Sequence, residues 1–152
     1  IWHHGDYAKI TNNKGFVIFG RSDTTLNPGG VRLGTAEIYA EIEKFKEIKE
    51  SLVVGQSWDN DIRIILFVIL NPKYHLNEYL INKLKLQIRK NASPRHVPLK
   101  IIRINDIPRT KSGKIVELSV KDIIEGKKIK NKEALANPES LKQFSNIKEL
   151  KY

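Results

Sequence analysis

The sequence predicts a small α+β domain in which a mostly antiparallel sheet of about three strands, preceded by an N-terminal hairpin, packs against helices. Two β-rich runs, 52–58 and 62–70, are separated by only a short polar turn, which is typical of an antiparallel pair of strands. Stretches with apolar residues at helical spacing precede and follow this pair. The chain has 152 residues, of which 40% are hydrophobic, enough for one compact core.

The chain begins with a predicted hairpin and a loop. Residues 7–10 and 16–19 are rich in apolar residues and flank a polar turn that contains Gly15, a pattern that favours two paired strands. The stretch from 20 to 34 has little periodicity and is rich in Gly, Pro, Asn and Asp. This composition indicates a hinge or a ligand-binding loop.

Helices and strands follow the loop. Ile38, Ile42 and Phe45 recur at helical spacing, and Glu37 in the first turn suits the positive end of the helix dipole. The two β-rich runs come next, joined at 59–61. Since the second run is apolar on both faces, we expect it to be the central strand. A second amphipathic helix is indicated by Leu76, Leu80, Ile81, Leu84 and Ile88.

The last third of the chain adds a strand, a helix and a tail. Two prolines, at 94 and 98, end the second helix, and alternating apolar residues at 97, 99 and 101 predict a third strand. A last helix spans 116–124 and ends at Gly126, since Gly commonly follows a helix. From Lys127 onward the sequence is polar and weakly periodic, so we expect a surface tail or arm.

The charge of the chain is uneven. The net charge is +10, and fifteen of the 27 Lys and Arg residues lie within 83–132, against four acidic residues. A basic half of this kind indicates an anionic partner, such as nucleic acid, a membrane surface or a phosphorylated small molecule; a solvated basic surface is the alternative. Residues 83–132 contain no Phe, Tyr or Trp, which disfavours binding to single-stranded nucleic acid.

Several kinds of site are disfavoured. The chain has no Cys, so disulfides and thiolate metal sites are excluded, and no His or carboxylate group has metal-ligand spacing, so no metal site is expected. The longest apolar run, 64–70, is too short to span a membrane. The chain starts without Met or a leader sequence, which suggests a piece of a longer protein. The lack of Cys fits a reducing cytosol, so a cytoplasmic location is expected.

One short run, residues 108–115, stands out as a candidate for chemistry. Lys114 follows a Ser-Gly turn and precedes an apolar helix. Its ammonium group is compact and mobile and suits phosphate or carboxylate oxygens, and the neighbouring Gly113 lets a substrate come close to the backbone. A solvated turn residue is the alternative. Four further charged residues, each ordinary when taken alone, are Asp6, Arg21, Arg32 and Arg89.

Four motifs occur in order along the chain. They are 2–6 (Trp-His-His-Gly-Asp), 20–23 (Gly-Arg-Ser-Asp), 27–38 (Asn-Pro-Gly-Gly-Val-Arg-Leu-Gly-Thr-Ala-Glu-Ile) and 108–114 (Pro-Arg-Thr-Lys-Ser-Gly-Lys). Together they resemble the end of an adenylate-forming enzyme, from the superfamily of acyl-CoA synthetases, luciferases and peptide-synthetase adenylation domains. The resemblance covers essentially the whole chain.

The likeness is strongest to the acetoacetate-activating branch of that superfamily. The segments that carry it are 20–39, 93–98, 116–121 and 137–141, the last of which is similar to a C-terminal extension of that branch. The acetate- and propionate-activating branches are the alternative. A basic nucleic-acid-binding module is the alternative from another class.

The resemblance implies an ATP-dependent acid–CoA ligase that forms an acyl-adenylate and then transfers the acyl group to CoA. Its substrates would be acetoacetate, Mg²⁺-ATP and CoA, its partner would be its own N-terminal domain, and neither nucleic acid nor a membrane is expected. Residues 1–22 would end the large N-terminal domain, 23–126 would form a lid, and 127–152 would form the extension. The isolated fragment would bind no cofactor tightly and would be inactive.

The resemblance also implies roles for individual residues. Lys114 would bridge the acyl carboxylate and the α-phosphate during adenylation. Asp6 would accept hydrogen bonds from the ribose hydroxyls, with Arg21 beside it. The other implied assignments are Asp23 as the hinge, Arg32 as a nucleotide contact, and Gly29, Gly30 and Arg89 as CoA contacts.

Overall fold

A computed structural model describes residues 6–13, 15–21 and 24–151. The chain forms a two-stranded ribbon, then a three-stranded sheet with helices on both faces, and the α+β class is confirmed. The elements in chain order are β1 (Asp6–Ile10), β2 (Phe16–Arg21), α1 (Ala36–Ile42), β3 (Ile48–Trp58), β4 (Asp61–Leu70), α2 (Glu78–Asn91), β5 (Lys100–Arg103) and α3 (Glu117–Ile124).

The main sheet has the strand order β3-β4-β5. β3 pairs antiparallel with β4, and β5 pairs parallel with β4, so the sheet is mixed and β4 is the central strand, as predicted. The β3–β4 hairpin turns through Asp59 and Asn60, which have φ values of 49° and 57°. Asp and Asn tolerate this left-handed region, and it matches the twist of a two-residue hairpin.

Side chains of β4 alternate between two cores. Leu66 and Val68 face a cluster built with α1 and α2. Ile65 and Phe67 face a second cluster built with α3 and the end of the chain. Since successive side chains of a strand point to opposite faces, a strand covered on both sides must be apolar throughout. This explains the pattern from which its central position was predicted.

The third strand starts later than predicted. β5 begins at Lys100, so Val97 and Leu99 precede it, although the Leu99 amide already donates to the Ile64 carbonyl oxygen (2.9 Å). Pro98 has no amide hydrogen to donate to a strand ladder, and Pro94 opens a short 3₁₀ turn through His96. The prolines therefore delay the regular strand.

The C-terminal extension, described over residues 127–151, is not a surface tail, so that prediction is wrong. Leu135, Leu141, Phe144 and Leu150 are buried, and the Phe144 ring meets the Phe67 ring edge-on, with centroids 5.0 Å apart. These apolar residues lie on and between short 3₁₀ turns, so they show no α-helical period in the sequence. The extension is instead part of the second core.

The ribbon β1–β2 is a separate sheet. Its register places Asp6 opposite Arg21.

Along the described parts of the chain, no helix has both the length and the apolar content needed to cross a membrane.

Candidate functional site

Lys114 lies at the end of a tight hairpin, which we call the Lys114 hairpin (residues 109–115). Arg109 and Ile115 form an antiparallel bridge at its base. The Thr110 amide donates to the Lys114 carbonyl oxygen (2.8 Å), and the Lys114 amide donates to Thr110 Oγ1 (3.1 Å). Gly113 has φ of 84°, a conformation that favours glycine. The backbone of Lys114 is therefore fixed, while its side chain is exposed.

Arg109 ties this hairpin to the start of β3. Its Nη2 lies 3.0 Å from Glu50 Oε2, and its Nη1 donates to the Gly113 carbonyl oxygen (3.3 Å). A guanidinium group can hold two acceptors in a fixed geometry. Arg109 thus links the turn beside Lys114 to the edge of the main sheet.

A partly buried polar contact lies behind the hairpin, at the start of α3. The Tyr39 hydroxyl donates to Glu117 Oε1 (2.5 Å) and accepts from the Val53 amide (2.9 Å). Burial, and then the neighbouring Glu117 carboxylate, raises the pKa of Tyr39 well above its usual value. The contact joins α1, β3 and α3 at the point where the chain leaves the Lys114 hairpin.

The glycine loop (residues 26–33) is the second candidate segment. Leu26 and Leu33 are buried and close it with two backbone hydrogen bonds of 3.0 and 2.8 Å. Gly29 and Gly30 have φ of 58° and 76°, and a Cβ atom added to Gly30 would meet no heavy atom within 4 Å. At Gly29 an added Cβ atom would lie 3.3 Å from Arg95 Nη1. The backbone is therefore open at Gly30, where another molecule can approach closely, and the Arg95 side chain lies beside Gly29.

Asp61 holds the glycine loop in place. Its two carboxylate oxygens accept hydrogen bonds from the Gly29 amide at 2.8 and 3.0 Å. The Ile62 amide also donates to Asp61 Oδ1 (2.7 Å). These amides, that of Ile62 first and that of Gly29 second, lower the pKa of Asp61 below its usual value. The loop is thus docked on the turn between β3 and β4.

The two candidate segments meet opposite ends of β3. The Lys114 hairpin contacts Glu50 near the start of the strand. The glycine loop contacts Asp61, whose partner in the β3–β4 pairing is Trp58 at the end of the strand. Roughly eight residues at ~3.3 Å each separate these contacts, so they are ~26 Å apart along the strand.

The other predicted site residues are distributed as follows. Arg32 is exposed on the glycine loop, and Arg89 is exposed in the last turn of α2. Asp6 and Arg21 oppose each other in the ribbon. Asp23 lies outside the described residues. The structure thus groups Gly29, Gly30 and Arg32, and it places Lys114 and Arg89 on separate elements.

Four residues that support these segments were not predicted from the sequence: Tyr39, Asp61, Arg109 and Glu117. Arg109 belongs to the Lys114 motif, and Asp61 belongs to the predicted polar turn at 59–61, so both carried a weak local signal. Tyr39 and Glu117 are separated by 78 positions. Only the fold brings them together, and the sequence held no signal for their contact.

Comparison with known proteins agrees with the resemblance found in the sequence. The family of AMP-binding enzyme C-terminal domains matches residues 37–114. The acetoacetyl-coenzyme A synthetase of Rhizobium meliloti (strain 1021) is 58% identical over 99% of this chain and 23% of that protein. The acetoacetyl-CoA synthetase of Xenopus tropicalis is 47% identical over the same shares.

Solved structures give a similar result. The acetoacetyl-CoA synthetase from Streptomyces lividans superposes with a TM-score of 0.85 at 39% identity, over 94% of this chain and 22% of that chain. The ATP-bound RpMatB-BxBclM chimera B1 has a TM-score of 0.73 at 25% identity, over 80% and 24%. The chain therefore spans less than a quarter of the length of these relatives.

Proposed function

Because this chain belongs to the family of AMP-binding enzyme C-terminal domains, we propose that it is the lid of an AMP-forming acid–CoA ligase. The single observation that carries the proposal is the placement of two functional segments at opposite ends of β3. The contacts that anchor the two segments are ~26 Å apart along the strand, which is consistent with a domain that presents one segment at a time. A domain that rotates between two half-reactions would present each segment in turn.

The acid that we propose is acetoacetate. Relatives that match nearly the whole chain, its extension included, are named acetoacetyl-CoA synthetases. Acetoacetate and ATP would give acetoacetyl-adenylate and diphosphate. The CoA thiolate would then attack the acyl carbon and release AMP. Acetate or propionate would be the alternative acid, and parallel rates with the three acids on the full-length protein would separate them.

The domain layout supports two moving parts. We propose that residues 1–22 end the N-terminal domain, that Asp23 is the hinge, that 23–126 form the lid, and that 127–152 form its extension. β1–β2 is a sheet of its own, which is consistent with a boundary after β2. The N-terminal domain would be the partner of the lid, and the cytoplasmic location stays a prediction.

In the first half-reaction, Lys114 would bridge two anions. The acyl carboxylate must approach the α-phosphate, and a cation between them both positions and neutralises the pair. An exposed ammonium on a fixed backbone suits this role, because its location is set while its tip can adjust. In the ribbon, Asp6 would accept hydrogen bonds from the ribose hydroxyls and Arg21 would assist there.

In the second half-reaction, the glycine loop would replace the Lys114 hairpin. Gly29 and Gly30 have no side chains, so the pantetheine arm of CoA could pass along their backbone. The exposed guanidinium groups of Arg32 and Arg89 would face phosphates of ATP or CoA.

The described residues contain no group of three His, Cys, Asp or Glu side chains suited to a metal ion. Mg²⁺ would therefore arrive with ATP on the N-terminal domain.

The test of this proposal is Lys114→Ala in the full-length protein. Adenylation, measured as acetoacetate-dependent ATP–diphosphate exchange, should fall about 10²- to 10³-fold, as for loss of one transition-state charge contact. Thioester formation from supplied acetoacetyl-adenylate should change less than about twofold, because Lys114 is then away from the centre. The matched control is Lys111→Ala, since Lys111 is exposed on the same hairpin.

Two outcomes would contradict the proposal. Equal losses in the two half-reactions for Lys114→Ala would remove the assigned role. Thioester formation by these 152 residues alone, from acetoacetate, ATP and CoA, would show that the domain does not depend on an N-terminal partner.

A further inference from the structure

The C-terminal extension adds a third line of backbone to the Lys114 hairpin. The Lys111 amide donates to the Ala134 carbonyl oxygen (3.1 Å), and the Ala136 amide donates to the Arg109 carbonyl oxygen (2.9 Å). Thr110 and Leu135 form an antiparallel bridge, and Leu135 is only 5% exposed. An isolated two-stranded hairpin is marginally stable in water. The extension therefore supplies the pairing that this hairpin needs.

Asn137 lies at the centre of this contact. Its Oδ1 accepts from the Arg109 amide (2.8 Å), and its Nδ2 donates to the Ile107 carbonyl oxygen (2.9 Å) and to Asp106 Oδ2 (2.7 Å). Both ends of one side-chain amide are thus engaged. They bind the Ile107 carbonyl and the Arg109 amide, in the segment that connects β5 to the Lys114 hairpin.

A second amide of the extension holds the preceding residues. Gln143 Oε1 accepts from the Asn105 amide (2.8 Å), and its Nε2 donates to the Asp106 carbonyl oxygen (2.5 Å). Residues 104–108 belong to no strand or helix, so these side chains take the place of a strand partner. Phe144, next to Gln143, anchors the extension in the second core, and Leu141 is buried as well.

We propose that Asn137 is a positioning residue for adenylation, and that the extension holds the hairpin so that Lys114 is presented to the reacting anions. The inference rests on the proposed function of Lys114. Asn137 would touch no substrate and would act through the backbone of residues 107–109. Its loss would let the hairpin shift, and misplacement by about 1 Å can lower a rate about 10²-fold.

The test uses Asn137→Asp in the full-length protein. The aspartate keeps the oxygen that accepts from Arg109, but it sets a carboxylate oxygen against Asp106 and the Ile107 carbonyl. ATP–diphosphate exchange should fall about 10- to 100-fold, while thioester formation from supplied acetoacetyl-adenylate stays within about twofold. The control is Asn146→Asp, the same change in the same extension, since Asn146 Oδ1 accepts from Lys151 Nζ (3.0 Å).

A second variant tests the contact itself. The double variant Asp106→Asn, Asn137→Asp exchanges the amide and the carboxylate between the two positions. The amide at 106 can then donate to the carboxylate at 137, which restores a hydrogen bond between them. This pair should recover about fivefold in exchange activity over Asn137→Asp alone, the value of one ordinary hydrogen bond. A purely structural defect would lower both half-reactions together, and the exchanged pair would then recover both of them; recovery confined to exchange supports positioning.

The outcomes separate this inference from the proposal on which it rests. If Lys114→Ala abolishes exchange while Asn137→Asp leaves it intact, the positioning role is overturned and the function of Lys114 stands. If Asn137→Asp lowers both half-reactions equally, the positioning role is also overturned. If Lys114→Ala leaves exchange intact, the proposed function itself fails. Selective loss in Asn137→Asp with recovery in the exchanged pair supports the inference.

Discussion

Replacing Tyr39 by Phe tests the contact that joins the three elements behind the Lys114 hairpin. The change keeps the ring and removes only the hydroxyl oxygen, which donates to Glu117 and accepts from the amide of Val53. β3 is an edge strand, so the Val53 amide has no neighbouring strand on that side. Tyr39→Phe therefore leaves a backbone donor of a buried residue without its partner.

The expected loss of stability follows from those two bonds. A hydrogen bond to a charged group contributes ~1.5–3 kcal/mol, and an unsatisfied buried donor costs ~1–3 kcal/mol. The two effects share one oxygen and are not independent, so we expect about 3 kcal/mol in total. In a domain of this size each kcal/mol lowers Tm by ~2–4 °C, which gives a decrease of ~6–12 °C.

Urea denaturation of the chain, followed by circular dichroism, measures this change. The control is Tyr79→Phe, because Tyr79 is 75% exposed and loss of its hydroxyl should change stability by less than ~0.5 kcal/mol. A loss below about 1 kcal/mol for Tyr39→Phe, or an equal loss in both variants, would refute this reasoning.

The same contact predicts a dependence on alkaline pH. Because burial and Glu117 raise the pKa of Tyr39 in the folded protein, the folded state retains the phenol proton where the unfolded chain releases it. The stabilisation is complete below the unfolded pKa of about 10 and is lost as pH rises toward the folded value. The difference in unfolding free energy between the wild type and Tyr39→Phe should therefore shrink only above pH ~10.

Two further predictions concern the loop and its docking site. Gly55→Ala would place a Cβ atom 2.8 Å from Ile62 Cγ2; overpacking of this kind should lower stability by ~1–3 kcal/mol, and an unchanged urea midpoint would contradict it. The amides of Ile62 and Gly29 lower the pKa of Asp61, so this contribution is present above the usual Asp pKa and is lost as pH falls through the lowered value. The NMR signal of the Gly29 amide should titrate with a midpoint below ~3.9; a midpoint at or above that value would argue against the contact.

The sheet could be predicted from the sequence because its signals are local. The run at 62–70 is apolar on both faces, and that pattern alone indicated the central strand. The helices carried clear spacing as well, and α2 begins with an Asn77 side chain that accepts from the Leu80 amide. Strands and helices that are marked by hydrophobic periodicity and by capping residues can thus be predicted without knowledge of tertiary contacts.

The extension could not be predicted, for the opposite reason. Its buried residues lie on and between 3₁₀ turns that have no sustained period. Asn137 was part of a recognised segment, but its partners lie about thirty positions upstream. A side-chain amide that satisfies distant backbone groups leaves no pattern in its own neighbourhood. The same holds for the pair Tyr39 and Glu117.

The separation of two segments along β3 also bears on how such a domain can change over time. Substitutions more than 7–10 Å apart that share no partners combine additively in free energy, and these two contacts are ~26 Å apart. Variation at the glycine loop can therefore accumulate without disturbing the Lys114 hairpin, and the reverse also holds. The glycine loop and the Lys114 hairpin can therefore vary independently of each other. Either segment could be exchanged between related proteins without loss of the other.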